Sequence, residues 1–467
     1  MSNKLMGTTE IELTNVKTGE VEKYRDHNMV TNALRDIFSP IGLSNSPDKY
    51  FNQFAPYYQI LLGGILCFDT ALPEDPDKYF PPAEANVIGC AVYGEQNNTA
   101  NTLRGGFNHN ESEINLKDRY VKYVYDFTTA QANGTISSVC LTHKKGGFTS
   151  YGGKNTSYIS NLNLMQETAD NTLQYVNSDY TGTNTGSHCS SFKVGMTEFI
   201  FLIDRKNDCA LYFKVVDNAH IKITKRRTFL KSVSILDNVY TTKPLIEEIE
   251  IKELEKTLNL GYMGYNYDPE TDCLYICTTT GGSVEPNGTV LVTEIKVDKW
   301  TVKQYSVTNT TGVRLRTDAL WYFFVTGGSL YLKQYDDPHE LYKIQLDNPA
   351  NAVMFKRKNC DKINGVPKAV INGRIYFENE NSQLLIANTY TNEIMPPEAK
   401  TLFYSNYQIN ATPVRNEPLL YFADLGSRNA SGWNIICNYL ATINNLDTPV
   451  TKTADKTMKI SYILQEQ

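Results

Sequence analysis

Gly328-Ser329-Leu330-Tyr331-Leu332-Lys333 and Gly373-Arg374-Ile375-Tyr376-Phe377-Glu378 share one pattern: a turn, an apolar residue, a tyrosine, then another apolar residue. Related stretches occur at Asp208–Val216 (DCALYFKVV), Asp272–Thr278 (DCLYICT) and Glu417–Ala423 (EPLLYFA). Aligning them on Tyr212, Tyr275, Tyr331, Tyr376 and Tyr421 gives steps of 63, 56, 45 and 45 residues. Each stretch reads as a short buried strand and is followed by a partner strand, such as Val290–Val297 or His339–Leu346. A period of roughly 40–50 residues holding several strands is the mark of a β-propeller, because one such unit cannot bury its apolar strands alone and a ring of them can. Gly134–Leu141 and Glu198–Ile203 are expected to open the earliest blades, for five to seven in all. A β-sandwich or an irregular stack of hairpins is the competing architecture.

Composition agrees with an all-β chain. Among 467 residues there are 31 Tyr and 29 Gly, with many Thr and Asn; Tyr and Thr favour strands, while Gly and Asn favour the turns between them. Hydrophobic residues make up 41% and charged residues 21%, enough apolar material for real cores. The longest apolar run, Ile60–Phe68, is about half the ~18 residues a membrane-spanning helix needs, so no membrane insertion is expected. The net charge is −6 and the one basic cluster is Lys222–Arg227, which argues against nucleic acid as a partner. Nine scattered cysteines and the absence of a signal-peptide pattern fit synthesis in a reducing bacterial cytoplasm with free thiols.

The two ends differ from the middle. Thr9–Val16, the turn at Lys17–Glu20 and Val21–Tyr24 read as a hairpin, and Asn28–Phe38 reads as a helix with Val30, Leu34, Ile37 and Phe38 on one face. Residues 41–130 read as an irregular β region containing a strand over Leu116–Phe127. At the other end, Asp447-Thr448-Pro449 is expected to break an apolar segment before the alternating strand Lys456–Leu464. That last strand needs a partner, and the N-terminal hairpin is the one available. The expected organisation is therefore an anchoring segment 1–40 paired with 435–467, an irregular region 41–130, and a propeller-like body 131–434 between them. Leu245–Leu258 fits neither the helical nor the strand period cleanly.

Two segments carry a family resemblance. IELTNVKTGEVEKYRDHNMVTNALRDIF (11–38) resembles the start of tail-fibre or tail-tip proteins from bacteriophages and prophages of clostridia and related Gram-positive bacteria. YLATINNLDTPVTKTADKTMKISYIL (439–464) resembles the closing segment common in that group. The resemblance implies a virion or tailocin component, oligomeric (a trimer by family habit), that associates with other tail or baseplate proteins and meets a host cell-surface polysaccharide or glycoprotein. It transfers no catalytic residues. With no collagen-like repeat and no heptads, a compact receptor binder fits better than a slender fibre.

No nucleophile motif, H-E-x-x-H or P-loop occurs. Cys140…His143 and His188-Cys189 each supply only half of a zinc site, so no metal or other cofactor is expected. The carboxylate pairs Glu111/Glu113, Asp336/Asp337 and Glu378/Glu380 are the candidates for a polysaccharide depolymerase, an alternative to a non-enzymatic receptor binder. A structural baseplate or capsid-decorating component is the other alternative. Sugar recognition pairs aromatic faces with planar polar side chains. Tyr151–Asn155, Tyr175–Gly186, Trp321-Tyr322, Tyr404–Tyr407 and Tyr262-Met263-Gly264-Tyr265-Asn266-Tyr267 all offer both. The last cluster is the densest, so Tyr262, Tyr265, Asn266 and Tyr267 are the expected ligand-binding residues.

Overall fold

The computed structural model describes residues 5–34, 62–82, 85–97, 102–143, 159–160, 194–195, 198–204, 206–207, 209–227, 245–318, 323–358, 360, 362–371, 373–379, 384–395, 410–418, 420–424, 432–436 and 439–466. The chain forms two compact units, one of residues 1–160, 397–403 and 435–467, the other of residues 161–396 and 404–434. Among the described residues the regular structure is strand, apart from one helical turn at residues 32–34.

The first unit is built on the N-terminal hairpin. Leu5–Asn15 pairs antiparallel with Val21–Val30, and the turn is held by the Asn15 side chain, which accepts the N–H groups of Lys17 and Thr18, with Gly19 at φ +73°. The last strand, Lys456–Glu466, pairs with Leu5–Asn15 on one side and with Tyr120–Phe127 on the other. The sheet then runs, in spatial order, Val87–Ala91, Gly64–Phe68, Gly134–Thr142, Thr442–Lys452, Val21–Val30, Leu5–Asn15, Lys456–Glu466, Tyr120–Phe127 and Gly106–Phe107. Its two edges meet: Cys90 accepts the N–H of Gly105 at 2.9 Å and donates to the Leu103 carbonyl at 2.8 Å, just ahead of Gly106–Phe107. The curled sheet buries one face, with Ile11, Leu13, Tyr125, Phe127, Ile460 and Tyr462 all at 1% exposure or less. The opposite face of the hairpin carries surface pairs such as Lys23–Glu12 at 2.9 Å, which contribute little to stability.

At four places the structure departs from the sequence expectation. Val30 ends a strand rather than lying inside a helix, because Met29 and Val30 pair with Ile443 and Thr442; only the helical turn follows, and residues 35–38 lie outside the described residues. Asp447-Thr448-Pro449 does not break its segment: Thr442–Lys452 is one strand, and a register shift between Asn445 and Val450 accommodates the proline. The Leu116–Phe127 strand begins at Tyr120, after a turn with Arg119 at φ +54°. Gly134–Leu141, expected to open an early blade, belongs to the strand Gly134–Thr142, which lies in the terminal sheet between Gly64–Phe68 and Thr442–Lys452; the strands of the irregular region join the same sheet.

Lys452 of this sheet is 1% exposed and donates to Asn133 Oδ1 at 2.8 Å. Burial pulls its ammonium down to about 8 from the usual 10.5. Between those values the unfolded chain binds more protons than the folded one, so this lysine's contribution to stability rises with pH from about 8 towards 10.5. The Tm of Lys452→Met minus that of the wild type is therefore expected to be larger at pH 7 than at pH 9.5. A difference independent of pH would show that Lys452 stays charged throughout.

In the second unit the described strands form five successive sheets. The first holds Phe199–Asp204, Cys209–Asp217, His220–Arg227 and Leu245–Ile251; the second holds Tyr262–Asp268, Cys273–Thr279, Thr289–Lys296 and Val302–Thr308. The third holds Phe323–Thr326, Ser329–Gln334, Leu341–Gln345 and Ala352–Met354, with the short strands Ser283–Val284 and Leu315–Arg316 added to it. Ile363–Ile371, Arg374–Asn379, Leu384–Asn388 and Glu393–Met395 make the fourth, with the short parallel strand Lys356–Arg357 at its edge, and Asn410–Pro413 with Leu420–Asp424 opens the fifth. The leading strand of the second sheet packs on those of the first and third, and the leading strand of the fifth on those of the fourth and first. The ring closes where Val414 bridges Ile203 and Arg415 N–H donates to the Ile203 carbonyl at 2.8 Å. This is a β-propeller-like body.

The tyrosine repeat marks the second strand of every sheet: Tyr212, Tyr275, Tyr331 and Tyr376 are 1–4% exposed, and Tyr421 occupies the same strand of the fifth. Such strands read as continuous apolar runs because both of their faces are covered. In Cys273–Thr279, Leu274 and Ile276 face the core shared with the first sheet, while Cys273, Tyr275 and Cys277 face the core shared with the third. The ambiguous segment from Leu245 is the outer strand of the first sheet, and its Glu248 and Glu247 pair with Lys222 and Lys225 at 2.5 and 2.6 Å.

Candidate ligand-binding end of the ring

Within each sheet the first and second strands join at one end of the ring. The second-to-third connections and the links to the next sheet emerge at the other end, among them residues 280–288 and the described residues 309–318. Here Tyr262 begins its strand half-buried. A Cβ on Gly282 would lie 3.5 Å from Tyr262 Cζ and 2.9 Å from Asp318 Cβ, so ring, bare backbone and carboxylate converge. Arg316 holds that carboxylate with two hydrogen bonds, Nε to Oδ1 at 2.5 Å and Nη2 to Oδ2 at 3.1 Å.

The connections are tied to each other rather than free. Thr317 N–H donates to the Gly282 carbonyl at 2.9 Å, Thr317 Oγ1 to the Gly281 carbonyl at 2.8 Å, and Thr279 Oγ1 to Thr317 Oγ1 at 3.1 Å. Arg314 donates to Ser283 Oγ at 2.8 Å and lies over the Tyr335 ring at 3.8 Å. Lys333 stands directly across the ladder from Arg316 and is 2% exposed. Burial, and next the Arg316 charge, pull its ammonium down to about 8. A half-buried aromatic ring beside a planar guanidinium–carboxylate pair, on braced loops, has the chemistry to pack against C–H groups and hydrogen-bond adjacent hydroxyls.

Of the four expected residues, Tyr262 belongs to this group and the other three do not. Tyr262–Asp268 is a strand, not a rim loop, and its alternate side chains serve two neighbours. Towards the first sheet, Tyr265 packs 4.8 Å from Phe213 and 5.3 Å from Phe199 and donates to the Ile200 carbonyl at 3.3 Å. Tyr267 donates to Asp272 Oδ1 at 2.7 Å, and burial with that hydrogen bond pushes its phenol up. Towards the third sheet, Asn266 Nδ2 donates to the Val325 carbonyl at 3.1 Å and Asp268 Oδ2 accepts the Gly327 N–H at 3.0 Å. With 2–8% exposure, Tyr265, Asn266 and Tyr267 are packing residues.

The remaining candidates are dispersed. Glu111 pairs with Lys459 at 2.6 Å, and Glu113 accepts the Tyr120 hydroxyl. Asp337 Oδ1 accepts the His339 N–H at 3.2 Å, an ordinary turn cap, and Glu380 lies outside the described residues. So do the aromatic stretches 151–155, 175–186 (with 188–189), 321–322 and 404–407. Cys140 and His143 are buried in the terminal unit. Among the described residues no group of three or more His, Cys, Asp or Glu is placed to hold a metal ion. Gly282, Arg316, Asp318 and Lys333 carried no local signal, because they meet only through sheet pairing and loop packing.

No family model and no curated protein matches the sequence. Solved structures similar in part include apo AztD from Citrobacter koseri (9% identity, 83% of this chain and 100% of that one, TM-score 0.26). A second crystal structure of Citrobacter koseri AztD matches at 9% identity over 82% and 98% of the two chains, TM-score 0.27. The uncharacterized protein lmo1340 from Listeria monocytogenes EGD-e matches at 10% identity over 72% and 76%, TM-score 0.23. At these TM-scores the likeness carries no argument about what this chain does.

Proposed function

We propose that this chain is a receptor-binding protein of a phage or tailocin tail that recognises a host cell-surface saccharide without cleaving it. The observation that supports this reading is the convergence of Tyr262, Gly282, Arg316 and Asp318 on braced loops at one end of a rigid ring. Rims of this kind are where scaffolds of packed sheets commonly carry binding residues. The curled terminal sheet is the part proposed to attach to other tail or baseplate proteins in the particle, and the family resemblance supports a homo-oligomer, a trimer. The burial of Tyr265, Asn266 and Tyr267 favours a second reading, a structural baseplate or capsid-decorating component without a ligand.

The test is binding of labelled protein to a panel of clostridial and related cells, before and after periodate oxidation of surface sugars. Strain-selective binding lost on oxidation is expected. Tyr262→Ala should weaken it by roughly tenfold or more, the 1.4 kcal/mol or so of a central aromatic contact. Tyr265→Phe should leave it unchanged, because the ring that packs is retained. Periodate-sensitive binding with full strength in Tyr262→Ala would move the site elsewhere. Binding to no strain would favour the ligand-free component.

A further inference from the structure

One seam of the terminal sheet is short among the described residues. Val21–Val30 and Thr442–Lys452 pair only through Met29↔Ile443 and Val30↔Thr442. The next pair in that antiparallel register is Asn28 opposite Asn444, and there the ladder stops. Asn444 is fully buried, and neither its Oδ1 nor its Nδ2 has a hydrogen-bond partner. Asn28 Nδ2 is likewise buried without a partner. Leaving such an atom unpaired costs on the order of 1–3 kcal/mol, too much for three of them at facing register positions without compensation.

Asn28 turns its amide so that Oδ1 accepts from Thr9 Oγ1 at 3.2 Å, which leaves the nitrogen over. Gly7 makes room for it, since a Cβ there would lie 2.7 Å from Asn28 Nδ2. The neighbouring polar groups are already engaged: Thr442 Oγ1 accepts the Leu141 N–H at 3.0 Å and the Tyr462 hydroxyl. What remains is two amide donors and one amide acceptor. A water offers two acceptor and two donor positions, and buried waters typically make about three hydrogen bonds.

We propose that the seam beside Asn28 and Asn444 is a binding site for ordered water, which accepts from both Nδ2 groups, donates to Asn444 Oδ1, and continues the interrupted ladder between the two strands. Water here is a structural member of the sheet, holding the seam where the pairing of these two strands stops. The seam belongs to the terminal unit and does not involve the residues of the ring's candidate site.

A crystal structure of the intact protein, at a resolution that shows ordered solvent, tests it directly. Density for water within about 3 Å of Asn28 Nδ2 and an Asn444 amide atom is expected; a dry seam, or direct pairing of the two amides, overturns the proposal. Thermal melting of Asn444→Leu is a second, independent readout. Where water completes the network, losing Asn444 strands the water and Asn28, and Tm falls. Were the amide merely unpaired, the apolar replacement would raise Tm. If Asn444→Leu fails to accumulate, the wild-type density decides alone.

Discussion

Gly264→Ala is expected to lower the melting temperature of the ring by roughly 10 °C or more, or to prevent its folding. A Cβ at this position would lie 1.8 Å from the Phe323 carbonyl oxygen and 3.0 Å from its carbon. The obstacle is backbone, so no side-chain rotation relieves it, and the leading strands of the second and third sheets must part. Overpacking costs about 1–3 kcal/mol when side chains can give way, and this site belongs at or above the top of that range. At roughly 2–4 °C per kcal/mol for a unit of this size, the shift follows. Gly312→Ala is the contrast: its φ is +77° with nothing within 4 Å, so only backbone strain of about 1 kcal/mol is expected. Equal melting of the two variants would mean that the second and third sheets do not approach as described.

Deleting residues 456–467 should unfold the terminal unit. Lys456–Glu466 is interior to its sheet, laddered to Leu5–Asn15 on one side and Tyr120–Phe127 on the other. It buries Met458, Ile460, Tyr462 and Leu464, each at 3% exposure or less. At about 1.5–3 kcal/mol per buried side chain, before either ladder is counted, the loss rivals the whole ~5–15 kcal/mol of a typical domain. Limited proteolysis reads the outcome: rapid cleavage within residues 5–34 and 102–143 of the shortened chain is expected. Protection equal to the wild type would show that the hairpin holds without its neighbour.

The Tyr262–Asp268 strand shows why the ring was easier to read than its site. Tyr-Met-Gly-Tyr-Asn-Tyr has the composition of a sugar-binding loop, with glycine and asparagine between aromatics. In the ring each of those types has another use. Gly264 allows two backbones to touch, Asn266 caps a neighbouring carbonyl, and Tyr265 and Tyr267 fill the core shared with the first sheet. Composition alone does not separate these roles, because a buried amide and a ligand-facing amide are the same side chain. Tyr262 remains at the candidate site because it is the residue where the strand emerges at the ring's end.

Read alone, the amino-acid order determined the all-β class and the recurring apolar second strands. Both follow from local chemistry: a strand covered on two faces must be apolar throughout, and one covered on a single face must alternate. It also required a partner for the alternating strand Lys456–Leu464. Tertiary structure alone decided that Gly134–Thr142 joins the terminal sheet, that Val30 ends a strand instead of lying in a helix, and that Gly282, Arg316 and Asp318 meet Tyr262. Those outcomes depend on which strand edges and loop backbones are left free once the rest has paired, a property of the assembled sheets that no single segment carries.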